Sequence, residues 1–137
     1  MITDEQKQAI KDYVQDKPVE VLYLFGSQAL GTARSDSDYD FGVIFQTNKT
    51  SHQKFDLKLE ILGFLTGLFK TDKVDLLDLE SSPIRFQFEA IYPRNIIYER
   101  DIDKTKVFEY DVLTRYFDEM YFMKQMTQDY KQQFIYD

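Results

Sequence analysis

Apolar residues recur along this chain with two alternating periods, one near 3.6 and one of 2. Ile10 and Val14 stand four apart among Lys, Gln, Asp and Glu, with Thr3 where a cap belongs, so a first helix is expected over residues 3–15, one narrow face on a sheet. Pro18 breaks that pattern, and Val19 to Phe25 (VEVLYLF) is β-branched and aromatic, which predicts a buried strand that Gly26-Ser27 ends. Residues 28–37 are small and polar, enough for about one helical turn and a loop. Asp38 to Phe45 (DYDFGVIF) predicts a second strand with Asp38, Asp40, Gly42 and Ile44 on one face and Tyr39, Phe41, Val43 and Phe45 on the other. After a polar loop through residue 53, Phe55, Leu59, Leu62, Leu65 and Phe69 form a helical stripe over 54–69. Lys73 to Leu79 predicts a third strand, Pro83 to Ile91 a short helix and Asn95 to Glu99 a fourth strand.

From about 103 to 134 the chain reads as one long helix, on which Val107, Tyr110, Leu113, Phe117 and Tyr121 recur at helical spacing. A second apolar set, including Phe108, Val112, Tyr116, Met123, Met126 and Tyr130, lies partly off that stripe. A helix apolar on so much of its circumference calls for a second covering surface, a partner or another copy of the chain. The whole predicts a two-layer α/β (α+β) fold: a small mixed sheet of three to four strands flanked by helices. One domain spans 1–137, with a core over about 1–100 and the C-terminal helix beyond it.

Composition narrows the chemistry. There is no cysteine and His52 is the single histidine, so a metal must be held by oxygen, which favours hard cations such as Mg²⁺. Twenty-four acidic against 17 basic residues give a net charge of −7, which repels an extended nucleic acid. No stretch approaches the roughly 18 apolar residues of a membrane span, and a soluble, cytoplasmic protein is expected.

The segment LFGSQALGTARSDSDYDFGVIF carries the candidate site. Asp38 and Asp40, two apart on a strand, point the same way with Cα atoms roughly 6.5 Å apart. Two carboxylates at that spacing can grip a pair of cations, which stabilise both the attacking and the leaving oxygen of an in-line phosphoryl displacement. Asp75, alternating with Leu77 and Leu79 in the third strand, is expected to complete the set as ligand or general base, because a carboxylate buried among apolar residues is costly unless paired or metal-bound. Gly26 allows a triphosphate close to the backbone, and Ser27 offers a hydroxyl where a helix N-terminus favours anions.

These five residues resemble the pattern of the DNA polymerase β-type nucleotidyltransferases, G-S-x10-D-x-D followed by an isolated third Asp. They are most similar to the minimal form of that superfamily, the MntA-type antitoxins of HEPN–MNT toxin–antitoxin pairs. The similarity extends in outline from the first helix to about residue 100. It implies an ATP- and Mg²⁺-dependent adenylyltransferase, with Asp38, Asp40 and Asp75 as catalytic metal ligands and Gly26 and Ser27 at the nucleotide. The implied partner is a HEPN-domain ribonuclease toxin, modified on a hydroxyl, in particular that of a tyrosine.

Blander readings compete at each position. A lone Asp-x-Asp is more often a solvated strand start than a metal site, and it is the Gly26-Ser27 pair and Asp75 that change the balance. Asp36, Asp38 and Asp40 also suggest a calcium loop, but Phe41 and Thr47 stand where its glycine and bidentate Glu belong. Asp78 and Glu80 read as surface acids, His52 as a surface histidine, and Arg34 as either a phosphate contact or a solvated charge. Two alternatives of function stay open: a small-molecule transferase like the aminoglycoside-modifying enzymes, and a binding module that silences its partner by occlusion alone.

Overall fold

A computed structural model describes residues 2–26 and 38–135 of the protein. Along the chain run α1 (Asp4–Val14), β1 (Val19–Phe25), β2 (Tyr39–Phe45), α2 (Ser51–Phe69), β3 (Val74–Asp78), a 3₁₀ turn (Leu79–Ser81), α3 (Ile84–Ile91), β4 (Ile96–Glu99) and α4 (Ile102–Ile135). The sheet order is β3-β2-β1-β4, with β1 antiparallel to both β2 and β4 and β2 parallel to β3. The sheet is therefore mixed, as expected, with four strands among the described residues.

Every residue of β1 is buried, because both of its faces are covered. On one side Leu22, Leu24, Phe41, Val43, Leu76 and Ile97 pack against Ile10 and Val14 of α1 and Ile61 and Leu65 of α2. On the other, Val21, Tyr23, Phe25 and Ile44 pack against Ala90 and Ile91 of α3 and Val112 of α4. The expected two layers are corrected to three. A central strand with almost no polar alternation cannot leave either face in water. Glu20 is its one charged residue, and the Lys104 ammonium lies 3.6 Å from its carboxylate.

Helices α1 and α2 start where polar side chains satisfy their free amides. At α1 the Gln6 amide donates to the Thr3 hydroxyl (3.0 Å) while the Thr3 amide donates to the Gln6 side chain (2.9 Å). Thr50 and Gln53 repeat that capping box (3.1 and 2.9 Å), so α2 begins at Ser51, inside the segment expected to be loop. The stripe expected on α2 is also rotated. Ile61 and Leu65 are the buried ridge, flanked by Leu57, Phe64 and Leu68, and Phe55 and Leu59 remain 57% and 52% exposed. Phe55 and Leu59 sit roughly 100–140° around the helix from that ridge, at 100° per residue.

On α4 the second apolar set supplies most of the packing, with Val112 buried and Phe108 and Tyr116 half-buried, and Leu113 of the first set joins them half-buried. Val107, Tyr110, Phe117 and Tyr121 of the first set are exposed. Polar contacts at Glu109 fix this helix to the sheet, since Glu109 accepts from the Tyr23 hydroxyl at 2.6 Å and from the Arg94 guanidinium at 2.9 and 3.0 Å. Burial, and then the bond to Glu109, push the Tyr23 phenol far above its ordinary pKa, so it stays protonated and donates to Glu109. Tyr23→Phe removes that donor and leaves Glu109 with Arg94. A loss of about 1–2 kcal/mol in urea unfolding is expected, with the secondary structure unchanged by circular dichroism.

Candidate functional site

The candidate residues gather at the end of the sheet where β1 finishes and β2 and β3 begin. Because β2 and β3 are parallel, Asp40 and Asp75 are direct register partners, followed by Gly42 opposite Leu77. Neighbouring strands lie roughly 4.8 Å apart, so the two carboxylates stand side by side on one sheet face. Asp38 precedes β2 and is exposed, and with Asp72, Lys73 and Asp75 it lines a smaller cavity of about 370 Å³. Ser27 and Arg34 lie outside the described residues, so the nucleotide-facing role expected of Ser27 is not visible in the geometry.

Gly26 has φ +74°, and a Cβ built on it would lie 2.6 Å from Oδ2 of Asp40. Two constraints therefore meet at one residue: a left-handed backbone that side chains resist, and space that the Asp40 carboxylate needs. Beneath the pair, Gly42 makes room for Leu79, whose methyls would lie 2.9 Å from an added Cβ. Leu79 was expected to end β3 as a strand residue. It instead opens the 3₁₀ turn, because Oδ1 of Asp78 accepts from the Glu80 amide (3.2 Å) and bends the chain there. Asp78 is thus a capping residue, with Lys54 at 4.0 Å, and not the surface acid its position suggested.

Asp40 is half-buried, and its carboxyl is held above the usual carboxylate range, first by desolvation and then by the charges of Asp75 and Asp38. Asp75 corrects an expectation. It is exposed, because β3 is the edge strand and leaves this position open to solvent; its Oδ1 accepts from the Leu76 amide at 2.9 Å. The argument for a ligand from buried charge therefore belongs to Asp40, and Asp75 joins the site by register.

A cavity of about 710 Å³ opens beside Asp40 and Asp75. Phe25 and Leu77 line it from the sheet, and Pro83, Phe86, Tyr92 and Pro93 from α3 and the residues on either side of it. Sequence reasoning missed Phe86 and Tyr92, because an aromatic at helical spacing reads as core. Buried Gln87 holds α3 in place: its amide donates to the carbonyls of Leu79 (2.6 Å) and Ser82 (3.1 Å), and its side-chain oxygen accepts from Arg115 of α4 (2.8 Å). Among the described residues no three His, Cys, Asp or Glu side chains converge into a ready-made metal cage.

The model of the family described as polymerase beta, nucleotidyltransferase matches residues 8–103. This chain belongs to that family. The match runs from within α1 to the first residues of α4, and Gly26, Ser27, Asp38, Asp40 and Asp75 all fall inside it. Among curated proteins, a protein adenylyltransferase MntA of Aphanizomenon flos-aquae (strain 2012/KM1/D3) is 28% identical over 105 residues, covering 69% of this chain and 67% of that one. Among solved structures, a toxin–antitoxin with AMP-PNP superposes with a TM-score of 0.71 at 19% identity, over 93% of this chain and 98% of the other. An MNT antitoxin in complex with the tri-AMPylated HEPN toxin of Shewanella oneidensis gives a TM-score of 0.60 at 16% identity, over 90% and 97% of the two chains. At those identities the two structures show that this nucleotidyltransferase shares their fold, including the long last helix.

The raised pKa of Asp40 fixes the sign of a stability effect. Its charged form opposes folding, so the contribution of Asp40 to stability is full below the ordinary carboxylate pKa and is lost as pH rises through the raised value. In chelator at pH 7, Asp40→Asn is therefore expected to melt higher than the parent, with the difference closing as the pH falls toward 4. A lower melting temperature at pH 7 would show that the Asp40 carboxylate is a structural partner instead. Gly26→Ala is expected to melt lower than the parent, because it meets both the positive φ and the Asp40 carboxylate.

Proposed function

We propose that this nucleotidyltransferase moves AMP from ATP to a hydroxyl of a HEPN-domain ribonuclease and thereby acts, in the cytoplasm, as the antitoxin of that toxin. One observation carries the reading: parallel pairing of β2 and β3 sets Asp40 beside Asp75 at the mouth of a 710 Å³ cavity with largely apolar walls. The similarity to an adenylyltransferase, and to antitoxins solved with AMP-PNP or with an AMPylated toxin, supports both donor and acceptor.

Asp38, Asp40 and Asp75 would hold Mg²⁺. All three present carboxylate oxygens, and an incomplete protein shell suits a cation commonly bound through one or two carboxylates together with substrate phosphates and water. When bound, Mg²⁺ supplies positive charge to the oxygens that enter and leave phosphorus. Gly26 leaves the backbone open to the triphosphate, and Ser27, next in the chain, would add a hydroxyl there. The acceptor oxygen bonds to the α-phosphorus, the bond from that phosphorus to the bridging oxygen breaks, and pyrophosphate leaves. Asp75, the exposed member of the pair, is placed to take the acceptor's proton. A tyrosine near the partner's active site is the acceptor we favour, since AMP there adds bulk and negative charge where RNA phosphate must bind.

The test incubates the chain with ATP, Mg²⁺ and the product of the neighbouring gene, as the candidate HEPN-domain partner, and weighs that protein intact. A gain of one or more AMP units is expected. Inhibition without a change of mass would make occlusion the better account, and transfer to an aminoglycoside in the same assay would favour a small-molecule acceptor. Asp38→Asn and Asp40→Asn are each expected to slow transfer at least about a hundredfold, roughly 2.7 kcal/mol of barrier, while keeping the fold. Asp75→Asn is expected to slow transfer as well, with little change in metal-free stability.

A further inference from the structure

The last helix is longer than the body it packs on. At 1.5 Å per residue, α4 runs for roughly 50 Å, yet its packing residues end at Tyr116. From 117 to 134 every described side chain is exposed except half-buried Gln125. That stretch is nevertheless rich in large apolar groups: Phe117, Tyr121, Met123, Met126, Tyr130 and Phe134 are 51–67% exposed. A helix of this length without a packed face is marginal in water, so the sequence is written for a covering surface.

Next to it lies a groove of about 500 Å³ between α3 and α4, lined by Ile84, Phe88, Tyr116, Met120 and Met123, with Arg85, Glu89 and Glu119 at its rim. Its floor is fixed by Phe88 and Tyr116, whose rings stack at 3.8 Å and 3°. Glu89 lines this groove and also the cavity beside Asp40 and Asp75. Helix α3 turns Phe86 toward the cavity and Phe88 toward the groove, so the two spaces meet across one side chain.

We propose that the groove and the apolar face of α4 beyond Tyr116 seat the acceptor protein, leading its reactive side chain over Glu89 into the cavity at Asp40 and Asp75. This rests on the acceptor being a protein, as proposed above. Two observations favour that occupant over a second copy of the chain. The area fits: Met120, Met123, Met126, Tyr130 and Phe134 fall within roughly 120° of the helix on the groove's side, each is exposed, and at on the order of 100 Å² each, with the groove added, they approach the roughly 800 Å² that one partner contributes to a standard interface. The groove also runs into the reactive cavity, where a second copy seated across Glu89 would close the entrance that an acceptor needs. Met120, Met123 and Met126 suit a docking surface, since the unbranched thioether side chain repacks readily against a partner.

The test uses the 137-residue chain carrying Met123→Glu with Tyr130→Glu, and separately Met123→Leu. Three quantities are read: affinity for the neighbouring gene's product as the candidate HEPN-domain partner, affinity for AMP-PNP by calorimetry, and the sedimentation coefficient of the chain alone. The double variant is expected to lose at least tenfold in partner affinity and in partner modification. Its AMP-PNP affinity, melting temperature and sedimentation should stay as in the parent, and Met123→Leu should keep the parent's partner affinity. Undiminished partner affinity in the double variant overturns the proposal, and so does a shift of the chain alone from dimer to monomer, which would give the face to a second copy. If the parent binds the partner without modifying it, the transfer reading falls and partner affinity alone decides the docking face. If the parent does not bind it at all, both fall.

Discussion

Burial of β1 on both faces is the constraint from which the rest of this structure follows. A strand reading Val-Glu-Val-Leu-Tyr-Leu-Phe has almost nothing to offer water on either side, so it must lie between two strands and between two layers of helix. The antiparallel return of β2 brings Asp38 and Asp40 to the end of β1, and the parallel entry of β3 brings Asp75 to the same edge. The apolar strand thereby decides where the charges collect. They can gather only where the central strand stops.

The two faces of the sheet are finished differently. Helices α1 and α2 close one side with aliphatic ridges, and stacked rings such as Tyr13 on Phe64 extend that packing. The other side is covered by the short α3 and the first half of α4, which are held by Gln87, Arg115 and Glu109 as much as by apolar contact. A short helix tied down by a few hydrogen bonds leaves room beside it, and that room is the cavity next to Asp40. The reactive face is thus the less completely filled one.

How much of this was legible depended on whether a residue's role followed from its neighbours in sequence. The period-2 alternation in DYDFGVIF put Asp38 and Asp40 on one face, and Asp40 does sit opposite to the face that holds Phe41 and Val43. Thr3 was visible as a cap for the same reason, although its partner Gln6 was not. The identical pair at Thr50 and Gln53 was passed over because the polar residues around it read as loop. Period alone could not choose among the many apolar positions of α2, since Leu57, Leu59, Ile61 and Leu62 all fit some stripe and only the sheet selects the ridge. The exposure of Asp75 was hidden too, because a strand's place at the edge of a sheet is not written in that strand. Phe86 and Tyr92 went unremarked, because the cavity they face is created by separate segments of the chain that only the fold brings together.

The contact between Gly26 and Asp40 has a consequence for how such a chain can change over generations. Position 26 is held by two requirements, its backbone conformation and the volume taken by the neighbouring carboxylate, whereas the chemistry of position 40 is held by its charge alone. A lineage that abandoned the reaction could replace Asp40 first at no steric cost, and only then would the space beside Gly26 be free. The reverse order is obstructed, because any side chain arriving at 26 strikes the carboxylate while it is still there. Decay of this site would therefore run in one direction, and a descendant that keeps the glycine without the aspartate would mark a chain caught partway.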